Sequence, residues 1–331
     1  MNLSVVICTF NRCESLRRTL ESFCGQQALE SGAWEILVVD NNSTDGTKAV
    51  CDQFINRLPL RYVLETRQGK SCALNRALSL VEAPLLLFTD DDVDVDERWV
   101  ASLLDAAQRY PEAVFFGGRV LPRWDAPPPK WAVESRLPDL DFVFVRYDFG
   151  DAERALDSQM RPFFGANLAI RKRIFDDGYL FNENIGPQGR NLVHGEETEL
   201  LNLLVQKGYK GIYVPGAIVH HRNDRARMTE QYLRRYYKGT GMRETRMAGC
   251  VGGRRICFGA PLGLWRLLMR RGRQYLIRRA FRPSDEWIVA EVAMARTWGA
   301  ICEWRRQALD KRKKLFTHLN LGTDDREDNS L

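Results

Sequence analysis

Short apolar runs alternate with amphipathic stretches through the first 120 residues. Leu3-Ser4-Val5-Val6-Ile7-Cys8 is β-branched and almost free of polar interruption, the pattern of a strand covered on both faces. From Arg12 to Phe23 the apolar positions Leu16, Leu20 and Phe23 recur at helical spacing. Trp34–Val39 predicts a second strand, Leu60–Leu64 a third, Leu85–Thr89 a fourth and Ala113–Phe116 a fifth. Lys70–Val81 and Glu97–Arg109 read as helices, and Asp45, in a turn-rich stretch from Asn41 to Gly46, is placed to cap another. Apolar strands separated by helices predict an α/β fold: a mainly parallel sheet with helices on both faces and right-handed crossovers.

In such sheets ligands bind beyond the carboxyl ends of the strands. Polar residues collect there: Thr9-Phe10-Asn11-Arg12 after the first strand, Asp40-Asn41-Asn42 after the second, Asp90-Asp91-Asp92 after the fourth. Further on, Pro122 to Lys130, with Pro127–Pro129 consecutive, reads as a loop, and residues 131–220 as a mixed α+β continuation. Residues 228–316 look helical and basic, with Trp265, Trp287, Trp298 and Trp304 interspersed. No internal repeat is visible.

Charge sharpens this division. The net +6 of the chain hides a segment, 222–314, with 24 basic and 8 acidic residues, a net of +16. There Leu262, Leu264, Trp265, Leu267, Leu268, Tyr275, Leu276, Ile277 and Phe281 interleave with Arg266, Arg270, Arg271, Arg273, Arg278, Arg279 and Arg282. Trp and Leu beside Arg predict a helix lying on an anionic membrane surface. No nucleic-acid-binding motif accompanies the charge, so no nucleic-acid partner is expected. The eight cysteines occur singly, without a CxxC pair, which argues against a zinc knuckle or disulfide framework and for reduced thiols in a cytoplasmic protein. The N-terminus carries no signal-type pattern, and no apolar stretch reaches the roughly 18 residues of a spanning helix.

Asp90-Asp91-Asp92 carries the first chemistry. Adjacent carboxylates at the end of a buried strand repel one another unless a cation sits among them. A hard divalent ion removes that cost and can also hold phosphates. Alternate residues of an extended segment face the same way, so Asp90 and Asp92 can share one ion. Asp40, at another strand end, can accept a hydrogen bond from a nucleobase. Val219-His220-His221-Arg222 follows an apolar strand pattern and offers an imidazole as a further ligand, His221 preferred over His220.

Four segments in order now carry a resemblance: Ser4–Arg12, Glu35–Thr47, Thr89–Asp92 and Gly195-Glu196-Glu197-Thr198-Glu199-Leu200 resemble the successive motifs of family-2 glycosyltransferases, over about residues 3–245. The resemblance implies a GT-A fold, with a Rossmann-like nucleotide-binding half (1–120), an acceptor-binding half (121–225) and a basic helical extension (226–331). It implies inverting transfer from a nucleoside-diphosphate sugar, a UDP-sugar by preference, with Mg²⁺ or Mn²⁺. The acceptor would be a glycan or lipid-linked hydroxyl, in surface polysaccharide or lipid-linked glycan synthesis at the inner face of the cell membrane.

By motif match, Thr9, Asn11, Arg12, Asp40, Asn42, Lys70, Asp90 and Asp91 form the donor-nucleotide set, with Asp90 or Asp91 near the ribose or the metal. Lys70 is either a phosphate contact or a helix-start lysine in solvent. Asp92, Asp90, His221 and His220 are the metal candidates. Gly165 and Asn167 would lie beside the donor sugar, and His194 is an active-site wall or a capping residue. The family's Gly-Glu-Asp motif ends in the catalytic base. This chain has Glu in place of that Asp, so Glu197 is the expected base and Glu196 the alternative. A sugar-nucleotide nucleotidyltransferase would show a glycine-rich loop after the first strand, which Thr9-Phe10-Asn11-Arg12 lacks. A non-catalytic binding module would not need both the aspartate triplet and the distant Glu pair.

Overall fold

Val5, Val6 and Ile7, and likewise Ile36 to Val39 and Leu85 to Leu87, have no polar face to turn outward, and in the computed structural model all are buried. The structure describes residues 2–26, 33–133, 140–156, 160–185, 195–249, 255–281 and 286–321, with side chains to 310 apart from that of Glu286. They form two compact units, Met1–Met228 and Thr229–Leu331. In chain order the first contains β1 (Leu3–Thr9), α1 (Cys13–Phe23), β2 (Trp34–Asp40), α2 (Thr47–Phe54), β3 (Leu60–Leu64), α3 (Lys70–Leu78), β4 (Leu85–Asp90), β5 (Val93–Val95), α4 (Trp99–Arg109), β6 (Phe115–Trp124), α5 (Lys130–Val133), α6 (Leu140–Val143), β7 (Arg154–Ala155), β8 (Leu168–Arg171), α7 (Lys172–Asp176), α8 (Glu196–Gln206) and β9 (Gly211–Asn223).

The sheet runs β3-β2-β1-β4-β8-β6-β9-β5, with β7 on β9. Its β3-β2-β1-β4 half is wholly parallel. The chain moves outward from β1 to β3 and then returns to β4 on the other side of β1. That reversal opens a crevice at the carboxyl ends of β1 and β4, where ligands bind in such sheets. The other half is mixed: β8 is antiparallel to β4 and β6, and β5 is antiparallel to β9. The expected fifth strand is longer than the apolar run, because β6 continues through Pro122 to Trp124, paired with β9. The proline-rich loop therefore starts later than its composition predicts.

Asn167 lies in a short turn of 3-10 helix at Gly165–Asn167 and is completely buried. Its oxygen accepts from Trp99 Nε1 at 2.8 Å, and its amide donates to the carbonyls of Arg119 and Ala217 at 2.9 and 2.8 Å. Gly118 leaves room for it, since a Cβ there would sit 2.5 Å from the amide nitrogen. This corrects the expectation that Asn167 binds a sugar hydroxyl: the amide is committed to joining α4, β6 and β9.

The second unit comprises α9 (Glu230–Ala248), a small hairpin of β10 (Ile256–Cys257) and β11 (Ala260–Pro261), α10 (Leu262–Phe281) and α11 (Glu286–Leu321). Helices α9 and α11 cross backbone on backbone: a Cβ at Gly241 would meet the Arg296 carbonyl at 1.9 Å, and one at Gly299 the Lys238 carbonyl at 2.0 Å. No helix among the described residues is long and apolar enough to cross a membrane.

Asn167→Ala should lower the unfolding free energy by about 2–4 kcal/mol, because it strands the Trp99 N–H and removes the partner of two carbonyls. Urea denaturation measures this; a loss under about 0.5 kcal/mol would contradict the bracket role.

Candidate functional site

Strand register assembles the site. Strand β4 ends at Asp90 and β5 begins at Val93, so Asp91 and Asp92 form the turn between them. Pairing of Val93 with His221 on β9 then carries His221 to Asp92. His221 Nε2 lies 3.3 Å from Asp92 Oδ1, and both residues are buried. Side chains alternate across a strand, so His220 faces away, opposite Asp94.

Arg222 fixes the turn. It is buried, and it donates to the carbonyls of Ser15, Asp91 and Val93, to the Thr19 hydroxyl and to Asp94. Arg12 spans the two turn aspartates, 2.8 Å from Asp91 and 2.9 Å from Asp92, while the Thr9 hydroxyl donates to Asp91 at 2.7 Å. Arg227 donates to the same Asp92 oxygen as Arg12 at 2.7 Å, and its other nitrogen lies 3.4 Å from His221 Nε2.

Lys70 opens α3 but is no solvated lysine. Its ammonium lies 2.9 Å from Asp90, 2.8 Å from Glu197 and 3.4 Å from Glu196. The site thus joins three distant segments through one cation. Burial opposes the charge on Lys70, but Asp90, Glu197 and Glu196 together outweigh it and hold its pKa well above the usual lysine value. For Glu197, burial and then the neighbouring Glu196 raise the carboxyl against the pull of Lys70, to about 7. Asp92 moves the other way: burial is outweighed by His221, Arg12 and Arg227, which hold it well below the ordinary range. Asp91 is raised, burial prevailing over Arg12.

Gly165, expected beside the donor sugar, makes room for the Glu197 side chain. A Cβ there would sit 2.1 Å from Glu197 Oε1, so only glycine lets this carboxylate lie over the turn. Gly195, at φ 117°, starts α8 and presents Glu196 and Glu197 in its first turn. His194 lies outside the described residues.

The β1–β2 edge is more self-contained. Asp40 is buried and accepts from Ser43 N at 2.9 Å and Tyr62 OH at 2.8 Å. Asn11, at φ 51°, accepts from Thr44 N at 2.7 Å and ties the two strand ends together. Asn42 has φ 67° and is exposed. Asp45 accepts from both Cys13 N and Thr47 N, so it serves the starts of α1 and α2 together. Tyr62, Arg222 and Arg227 were not singled out from the sequence. Tyr62 read as a strand residue, and the arginines belonged to a run of surface charge.

The residues present fit a divalent cation. Ligand atoms of Asp90, Asp92 and His221 all lie within 4.8 Å of one another. Asp92 Oδ1 is buried and has no hydrogen-bond partner among the described residues, as is His221 Nδ1. Asp90, Asp91, Asp92, Glu196 and Glu197 face three cationic side chains, Arg12, Lys70 and Arg227, so among the described residues carboxyl groups outnumber the cations paired with them. Oxygen donors with one imidazole suit Mg²⁺ or Mn²⁺. Calorimetric titration with Mn²⁺ should show one site that Asp92→Ala and His221→Ala each weaken more than about tenfold. Equal affinity in Asp92→Ala would remove the trio as the site.

Residues 4–178 match the family model described as glycosyl transferase family 2. A glucosyl-dolichyl phosphate glucuronosyltransferase of Haloferax volcanii is 29% identical over 67% of this chain and 69% of its own length. A validoxylamine A glucosyltransferase of Streptomyces hygroscopicus is 40% identical over 31% of this chain, which spans only 25% of that protein. In fold, the chain is similar to the mannosyltransferase PcManGT of Pyrobaculum calidifontis, solved with GDP-Man and Mn²⁺, at a TM-score of 0.54 and 17% identity, covering 94% of this chain and 87% of that one. The fold is that of the GT-A glycosyltransferases, and the chain belongs to glycosyl transferase family 2.

Proposed function

We propose that this glycosyltransferase inverts the anomeric centre of a UDP-sugar, transferring the sugar to a hydroxyl of a glycan or lipid-linked acceptor. The observation that carries the reading is Glu197: a buried carboxylate poised near neutrality, seated over Gly165, and joined through a single ammonium to Asp90 at the end of β4. In this reading residues 1–120 hold the nucleotide, 121–225 the acceptor, and 226–331 form the extension. The setting is lipid-linked glycan or surface polysaccharide assembly at the inner face of the cell membrane. The Haloferax relative, whose name specifies a dolichyl phosphate, supports a lipid-linked acceptor.

The acceptor oxygen attacks the anomeric carbon as the bond from that carbon to the diphosphate breaks. Glu197 takes the hydroxyl proton, and the bonding pair leaves with the diphosphate. Arg12, Arg227 and Lys70 supply fixed positive charge beside the departing group, where a low-dielectric site makes each worth more than in water. A divalent ion held by Asp90, Asp92 and His221 would neutralise the same developing charge. Glu196, which accepts from the Gly195 N–H at 3.0 Å, keeps the turn before α8 in shape and raises the Glu197 carboxyl. Asp40 and the β1–β2 loops receive the nucleoside.

A thermal-shift screen over UDP-, GDP- and dTDP-sugars with Mn²⁺ tests the donor, since a ligand that binds only the folded state raises Tm. The largest shift should come from a UDP-sugar, and a larger one from a GDP-sugar would replace it. Glu197→Gln should cut turnover by about 10²–10⁴-fold with donor binding retained. Were Glu196→Gln the inactive variant instead, the base would be one residue away. A base must be ionised to act, so turnover should fall as pH drops through about 7 and level off above it. Gly165→Ala should push the Glu197 carboxylate aside and cost about 10²-fold in turnover without lowering Tm, a loss that adding Glu197→Asp partly recovers.

A further inference from the structure

Among the described residues of the second unit, helix α10 presents an outer face whose arginines meet no carboxylate. Elsewhere in the unit, arginines meet carboxylates: Arg246 and Arg306 on the buried Glu303, Arg234 on Glu291, and Arg296 on Glu244. Helix α10 has six arginines and no acidic residue. Arg271 turns inward to the Ala293 carbonyl and the Thr297 hydroxyl, and Arg279 stacks 4.5 Å from the centre of the Trp287 ring. Arg266, Arg270 and Arg273 are exposed and make no ion pair among the described residues.

The apolar residues of α10 divide between two faces. Leu264, Trp265, Leu267, Leu268 and Tyr275 are part-buried. Trp265 meets Trp298 edge to face, and Tyr275 meets Trp287 in the same way, both partners on α11. Met269, Leu276, Ile277 and Phe281 are instead 66%, 66%, 47% and 80% exposed. At 3.6 residues per turn, these four and the three unpaired arginines fall within an arc of about 140°. A solvated helix needs no such outer row of large apolar side chains, because its core-facing stripe already supplies the packing.

We propose that this face of α10 is a docking surface for an anionic lipid bilayer, with Met269, Leu276, Ile277 and Phe281 entering the headgroup–acyl boundary and Arg266, Arg270 and Arg273 pairing with lipid phosphates. Apolar anchors alone would suit any lipid. The interleaved, carboxylate-free arginines select a negative surface. This extends the membrane setting proposed above and assigns it to named residues, independently of the catalytic site.

Sedimentation of the full chain with vesicles tests it. The chain should bind vesicles of phosphatidylcholine with phosphatidylglycerol, and bind pure phosphatidylcholine vesicles at least tenfold more weakly. Leu276→Ser/Ile277→Ser/Phe281→Ser should lose binding more than tenfold, and Arg266→Gln/Arg270→Gln/Arg273→Gln likewise, at roughly fivefold per arginine. Both variants should keep the wild-type circular dichroism and donor hydrolysis in solution, which separates loss of docking from loss of the enzyme reading. Unchanged binding by the serine variant, or equal binding to both vesicle types, would overturn the proposal. So would a wild-type dimer that the serine variant renders monomeric without any vesicle binding, since the face would then belong to a second copy.

Discussion

Five carboxylates are packed into one crevice, and the catalytic unit is organised around keeping them there. A carboxylate taken from water into a protein interior is costly unless it is paired and hydrogen-bonded. Here the pairing comes from far along the chain: Arg12 from the β1–α1 loop, Lys70 from α3 and Arg227 from beyond β9. Taking away one partner of a buried pair leaves an uncompensated charge, a penalty of about 3–5 kcal/mol. These cations therefore constrain the fold as well as the chemistry. Arg222 follows the same logic from β9: it pairs with Asp94 and also donates to the backbone carbonyls of Ser15, Asp91 and Val93.

The elements of the parallel half were legible because their physics is local. Uninterrupted apolar runs specify doubly covered strands, and α1 and β3 fall within a residue of their predicted bounds. Where tertiary pairing decides, the pattern misleads. Pro122 lacks an N–H, yet it continues β6 because the strand pairs with β9 and its composition is irrelevant to that register. Strand β5 is three residues long and acidic, and only its antiparallel partner β9 makes it a strand.

The same distinction runs through the site. The Asp triplet stands out by composition, whereas its proximity to His221 depends on a β5–β9 register that no local pattern encodes. Gly165 and Asn167 looked alike in the sequence, as ligand-side residues of one segment. They separate on contact: the glycine yields space to Glu197, and the amide is saturated by Trp99, Arg119 and Ala217. Arg227 escaped notice for the opposite reason. One arginine among 24 basic residues carries no signal until the chain places it on Asp92.

Lys70 is where composition, fold and chemistry meet. At the start of α3, preceded by Gly69 at φ 135°, it has the look of an ordinary first-turn residue. Its position is unfavourable for a helix, whose N-terminus repels positive charge. That penalty is a few tenths of a kcal/mol to about 1 kcal/mol, far below what three carboxylates at 2.8–3.4 Å offer. A lysine also suits the place better than an arginine. Its compact ammonium directs three donors toward three separate carboxylates, whereas a planar guanidinium is shaped for bidentate contact with one. The residue that opens the helix is thus also the one that draws Asp90 at the end of β4 and the glutamates of α8 into a single charged centre.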